Sequence, residues 1–186
     1  MTTPRERPIR VAVVARVVYP FHGHGGLQRH VYDLVRFLTA RGVALTLVTQ
    51  PPLAGRPSDQ EAESALTQSG LTMRTVPYRT FPFANRRGTT ILDRVTAYPR
   101  FGQRAGALAA RLVAEGSIDI VHGLGAAVLG YARVRRRPGG PGAPLVFNPQ
   151  GLEEFGATDP SRAPLKRIAY RPLQWAVRAC ARAADR

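Results

Sequence analysis

The chain predicts an α/β fold, a parallel sheet with helices on both faces. Two observations carry this. Short apolar stretches alternate with amphipathic ones along the 186 residues, and such alternation builds parallel strands joined by helical crossovers. The first apolar stretch, Ile9 to Val18, also breaks at Gly23-His24-Gly25-Gly26 and resumes as a helix. Glycines there let the backbone approach an anion, and the helix N-terminus offers unpaired N–H groups.

Ile9 to Val18 reads as the first strand. Leu27, Val31, Leu34, Val35 and Leu38 then recur at three- and four-residue steps, with Arg29, Asp33 and Arg36 opposite. That spacing predicts a helix. Gly42 closes it, and Val43 to Thr49 is the second strand. After a loop at Pro51 to Pro57, Ser58 to Gln68 forms a short helix with Ser58 as its cap. Leu71 to Val76 is the third strand, ended by Pro77. A loop from Tyr78 to Gly88 leads to a helical region, Thr89 to Glu115, bent or broken at Pro99. Ile118 to His122 is the fourth strand, followed by Gly123, Gly125 and a short helix to Arg135. Leu145 to Asn148 is the fifth. A last helix starts near Ala163, and Pro172 kinks or restarts it. The commonest right-handed arrangement sets strands one and four side by side at the centre. Residues 1–186 are expected to form one domain without internal repeats.

A hydrophobic fraction of 44% argues against disorder. The net charge of +15 predicts affinity for polyanions. Nearly all of it is arginine, with Lys166 the one lysine. Arginine bias also follows from codon usage, so the charge is weaker evidence than its size suggests. Cys180 stands alone, which excludes an internal disulfide and suits a reducing cytosol. Arg16 interrupts the first apolar run, which reads as a strand rather than a signal peptide. No stretch reaches the length of a membrane span.

Several chemistries fail on their residues. A dinucleotide fingerprint needs glycine where Gln28 stands and an acid where Thr49 and Gln50 stand. A phosphate loop of the Gly-Lys-Ser/Thr type is absent, as is a Gly-x-Ser-x-Gly nucleophile elbow. His22, His24 and His122 offer three nitrogen ligands, but neither loop adds a carboxylate or thiolate to complete a metal set. Hydrogen bonds to substrate or backbone are the expected work of these histidines.

Ligands of such sheets bind beyond the carboxyl ends of the strands. The loop after strand one brings Tyr19, His22, His24, Gly25 and Gly26 there. Strand four brings His122, Gly123 and Gly125, and strand five brings Asn148, Gln150, Gly151, Glu153 and Glu154.

These segments resemble the opening half of family-4 glycosyltransferases. The match runs through Gly25-Gly26-Leu27-Gln28-Arg29-His30-Val31 and Arg41-Gly42-Val43 to Thr49, where Val43-Ala44 replaces the usual His-Glu-like pair. It continues through Ile118-Asp119-Ile120-Val121-His122, Leu145 to Gly151, and Ala183-Ala184-Asp185-Arg186. No single motif is specific; four in order, at plausible spacing, are. The resemblance implies one Rossmann-like half of a GT-B enzyme. It implies a retaining, metal-independent transfer of a hexosyl group from a nucleotide-diphosphate sugar to an acceptor hydroxyl. No cofactor is expected beyond that co-substrate. Gly25 and Gly26 would face the donor diphosphate; Tyr19, His22, His24, Gln28, His122, Gln150 and Glu153 would contact acceptor or transferred sugar. Gln150 stands where many members carry histidine, and glutamine cannot act as a base near neutral pH. The catalytic residue is left open, with His122 as a candidate. The family's paired glutamates, two helical turns apart, are absent, so the chain reads as the acceptor-side half of a longer enzyme, inactive alone, without its donor-binding domain.

Phe81-Pro82-Phe83 with Arg86 and Arg87 mixes rings and cations, which favours an anionic membrane surface. A cytoplasmic location, extending to the inner face of the membrane, is expected. Packing of these phenylalanines on the domain is the plainer reading. Arg133, Arg135, Arg136 and Arg137 read first as helix-end cations complementing the dipole. No nucleic-acid motif appears. The competing class is a stand-alone α/β module that binds anions, lipid or nucleic acid without catalysis.

Overall fold

The computed structural model describes residues 7–53, 59–80, 90–150 and 168–186. Five strands form one sheet: β1 (Arg10–Val14), β2 (Ala44–Thr49), β3 (Thr72–Thr75), β4 (Ile120–Leu124) and β5 (Leu145–Asn148). Their order is β3-β2-β1-β4-β5 and every pairing is parallel. Strands one and four are thus neighbours at the centre, as the sequence predicts. The helices are α1 (Gly26–Thr39), α2 (Gln60–Gln68), α3 (Thr90–Ala114), α4 (Leu129–Arg135) and α5 (Arg171–Ala183). A turn of 3-10 helix, Gly125–Val128, precedes α4.

Alternate residues of each strand feed two cores, because strand side chains change face at every step. Val13, Leu45 and Leu47 pack under α1 and α2 with Val31, Val35 and Leu66. Ala12, Val14, Val121 and Leu145 pack under α3, α4 and α5 with Phe101, Tyr131 and Cys180. Each buried Val or Leu contributes about 1.5–3 kcal/mol. On the second face the helices approach closely. A side chain at Gly102 of α3 would overlap the Ala126 carbonyl, and one at Gly130 the Gln103 carbonyl.

The edges of several elements differ from expectation for identifiable reasons. β1 ends at Val14, although Ala15, Val17 and Val18 remain buried; the Ala15 N–H still donates to the Val48 carbonyl at 3.0 Å and the Arg16 carbonyl accepts from the Gln50 N–H at 3.4 Å. β4 starts two residues late because Asp119 is spent on a clasp. Its carboxylate accepts from the Arg10 backbone N–H at 3.0 Å and from the Arg10 guanidinium at 2.8 and 3.1 Å. These bonds hold its pKa well below the usual carboxylate range. Ser58 lies outside the described residues; Asp59 caps α2, accepting from the Ala62 N–H at 3.0 Å. α3 runs unbroken through Pro99. Pro172 sits in the first turn of α5, where its missing N–H costs no hydrogen bond, so it starts that helix. Beyond α5, the Asp185 N–H donates to the Leu145 carbonyl at 2.9 Å, so the chain runs on beside β5.

Candidate functional site

The loop after β1 is held from both sides. The His22 ring is 3% exposed, and both of its nitrogens are occupied. Nδ1 lies 2.9 Å from the Val18 N–H, and Nε2 lies 3.1 Å from the Gln50 carbonyl and 3.2 Å from that of Pro51. A neutral ring with the proton on Nε2 satisfies all three. Burial lowers the pKa of His22, which favours that neutral form. His22 therefore ties the loop to the end of β2 instead of lining the crevice.

Tyr19 is similarly an anchor. It is 5% exposed, and its hydroxyl donates to the Asp59 carboxylate. That bond, first among the causes, raises the pKa of Tyr19 and lowers that of Asp59. The Tyr19 ring packs on His24 at 4.9 Å and edge-on to Tyr32 at 5.4 Å, with Arg29 5.3 Å above it. His24 is exposed on top of this stack. Gln28 folds back over Gly25, where any side chain would strike its amide, and donates to the His22 carbonyl at 3.4 Å.

These anchors present the start of α1. Its N-cap, Gly25, supplies no side-chain bond, and no acidic residue lies in the first turn. Gly26, the first helical residue, is exposed, and a side chain there would meet nothing within 4 Å. Neither backbone strain nor packing demands a glycine at that place. The first-turn N–H groups, which lack intrahelical partners, carry the positive end of the helix dipole.

The other strand ends converge on the same side. His122 is aligned with Val13 and Val146, so it lies on the α1 face of the sheet. Burial, then the nearby His30, lowers its pKa. His30, in α1, accepts a 3.4 Å contact from the Asn148 amide at the end of β5. Gly125 has φ +58°, a left-handed conformation. A side chain there would collide with the Tyr98 hydroxyl and touch the Gln150 carbonyl. The ends of β4, β5 and α3 thus meet.

The Glycosyltransferase Family 4 model matches residues 24–186. The chain belongs to glycosyltransferase family 4. Comparison with curated proteins and with solved structures found no match. Membership supports glycosyl transfer between a sugar donor and an acceptor.

The family-4 chain brings Gly25, Gly26, Gln28, His122 and Gln150 to the carboxyl side of its sheet, with His24 at the rim. It turns His22 and Tyr19 to structural work. Gly151, Glu153 and Glu154 lie outside the described residues, as do Phe81, Phe83, Arg86 and Arg87. Among the described residues no helix is long and apolar enough to cross a membrane. The arginine cluster at the end of α4 is partly internal. Arg135 donates to the Ala183 carbonyl and pairs with Asp185 at 2.7 Å, while Arg133 donates to Gln103 at 3.0 Å and lies over the Trp175 ring. The sequence reading does not single out His30, which the structure sets beside Asn148 and His122. Its signal was available: it lies one turn after Gly26 on a helix whose N-terminus faces the strand ends.

Proposed function

We propose that this chain forms the acceptor side of a retaining glycosyltransferase. It would move a hexosyl group from a nucleotide-diphosphate sugar to an acceptor hydroxyl, with a second, donor-binding half closing the crevice. The observation that supports this best is the open N-terminus of α1. A helix start with no side-chain cap, no first-turn carboxylate and an exposed glycine suits a diphosphate. In this reading the amides after Gly25 and Gly26 stabilise the departing diphosphate, which is where charge develops. Gln28, His24, His122 and Gln150 contact acceptor or transferred sugar, and Glu153 keeps the same assignment. Gln150 hydrogen-bonds but takes no proton near neutral pH, so catalysis rests on positioning and leaving-group stabilisation.

Replacing Gly26 by Val in the full-length enzyme tests this. The site has room for the side chain, so the fold should persist. The bulk stands where the diphosphate should lie, and kcat/KM should fall about 100-fold or more. A folded Gly26→Val enzyme with unchanged transfer rates would overturn the assignment.

A further inference from the structure

Arg16 lies two residues beyond the end of β1, and its surroundings are unusual for a cation. Its backbone carbonyl accepts from the Thr49 hydroxyl at 3.1 Å, which fixes the main chain. Ala12 and Val14 belong to the α3 face, and two-residue alternation carries Arg16 to that face also. Its guanidinium lies between two aromatic rings, 5.3 Å from that of Tyr78 and 5.3 Å from that of Tyr98. Nε is buried and has no hydrogen-bond partner. None of the ion pairs among the described residues involves Arg16.

The two rings are themselves fixed. The Tyr98 hydroxyl donates to the Leu124 carbonyl at 3.2 Å, and the Tyr78 hydroxyl donates to Asp93 Oδ2 at 2.8 Å. The other Asp93 oxygen, Oδ1, is buried without a partner. Two unsatisfied groups of opposite kind, a donor on Arg16 and an acceptor on Asp93, therefore border the same tyrosine. Leaving such groups unpaired is costly, and native structures keep few of them. The Arg16 guanidinium also hydrogen-bonds Tyr78, but among the described residues no carboxylate pairs with it to offset its desolvation.

The position adds meaning to the chemistry. Tyr98 touches the turn at Leu124 and Gly125, next to the Gln150 carbonyl. Through Tyr98, Arg16 thus stands next to the strand ends, but on the α3 face. Gly25 and Gly26 belong to the loop on the opposite, α1 face, with Val18 and Tyr19. One diphosphate at the start of α1 leaves Arg16 unserved.

We infer that Arg16, flanked by Tyr78 and Tyr98, receives the anionic group of a sugar acid or sugar phosphate acceptor, one of whose hydroxyls donates to Asp93. This rests on the glycosyl-transfer reading for its word acceptor; the binding itself does not. A planar guanidinium suits phosphate or carboxylate through paired N–H groups, and here Nε has no partner. The same rings offer a surface on which a sugar's C–H face packs.

Titration calorimetry without donor tests the inference, using glucose 6-phosphate, glucuronate and glucose as probes. The acidic probes should bind at least about tenfold more tightly than glucose, since charge-assisted bonds are the stronger ones. A preference for glucose 6-phosphate identifies phosphate as the group, and one for glucuronate identifies carboxylate. Arg16→Gln should remove the advantage of the acid; Arg16→Lys should keep part of it. Asp93→Asn should weaken the sugar probes while sparing inorganic phosphate. Gly26→Val should leave all of these affinities unchanged, which separates this site from the donor site. If Arg16→Gln fails to fold, competition by inorganic phosphate against glucose 6-phosphate on the unmodified protein decides. Equal binding of glucose and the acids, an unaltered preference in folded Arg16→Gln, or a failure of phosphate to compete would each overturn the inference. Displacement of the acidic probe by a nucleoside diphosphate in the Gly26→Val protein would also overturn it, because Arg16 would then serve the donor.

Discussion

α1 and α2 lie side by side on one face of the sheet, and both begin where a parallel strand ends, yet their N-termini are opposites. α2 is closed. Asp59 caps it, Glu61 and Glu63 stand in its first turn, and the Asp59 carboxylate also takes the Tyr19 hydroxyl. α1 is open, with Gly25 as a cap that bonds nothing and no acid in its first turn. Capping and first-turn acids each stabilise a helix start by several tenths of a kcal/mol to about 1 kcal/mol. The chain uses both at α2 and neither at α1. Even the cap of α2 serves α1, because Asp59 holds Tyr19 and Tyr19 holds the glycine loop. The difference supports the proposal that the start of α1, left unstabilised beside a stabilised neighbour, is kept for a ligand's charge.

The strongest way to break the contrast is to give α1 what α2 has. Gly26→Glu places a carboxylate in the first turn of α1, where the structure leaves open space. Two effects of opposite sign are expected. Stability should stay level or rise by about 0.3–1 kcal/mol, since an acid complements the dipole and glycine is a poor helix former. On the proposed assignment, transfer should fall about 100-fold or more, because the carboxylate would repel a diphosphate bound there. Thermal unfolding and steady-state kinetics on the same preparation measure both. A loss of stability together with activity would show that Gly26 serves the fold.

The reverse change, opening α2, should have a moderate effect. Asp59→Ala removes the bond to the Ala62 N–H and the partner of Tyr19 at once. A drop in Tm of about 2–5 °C is expected. The sharper expectation is its location: hydrogen exchange should quicken in α2 and in the glycine loop, but not in α4 or α5. Exchange confined to α2 would mean that Tyr19 holds the loop by packing on Tyr32 and His24 alone.

Much of this was legible in the sequence, and the failures are instructive. Strand order followed from alternation and handedness, because a parallel sheet admits few other solutions. The helical periodicity of Leu27, Val31, Val35 and Leu38 located α1 without ambiguity. The α2 cap was misassigned by one residue, since Ser58 and Asp59 are both good caps and only geometry separates them. His22 looked like a ligand and proved to be a latch. The sequence places a ring in a loop, but its direction depends on Gln50 and Pro51, nearly thirty residues away. Arg16 read merely as an interruption of an apolar run. Its meaning needed Tyr78 and Tyr98, which come from two other elements. Long-range contact between side chains was the part that pattern could not supply.

The smallest expected effect is a dependence on pH that separates the two helices. Asp59 has a lowered pKa, chiefly from the Tyr19 hydroxyl and then from the Ala62 N–H, with His24 and Arg29 adding attraction. Its folded value thus lies below its unfolded one. The stabilisation it gives is fully present above the unfolded carboxylate pKa of about 4, and is lost as pH falls below that toward the folded value. No carboxylate stands in the first turn of α1, so acid reaches that helix start only indirectly, through the Tyr19–Asp59 bond. Hydrogen exchange at pH 6 and pH 3, corrected for intrinsic rates, should show protection falling at the start of α2 more than at the start of α1. In Asp59→Asn the cap persists without a titrating group, and the response of α2 should shrink; what remains reports Glu61 and Glu63. Equal loosening of both helices in the unmodified protein would mean that acid acts on the sheet as a whole. The Arg10–Asp119 clasp at the other end of β1 would then be the group to test next, since Asp119 is the carboxylate whose bonds to arginine join β1 to β4.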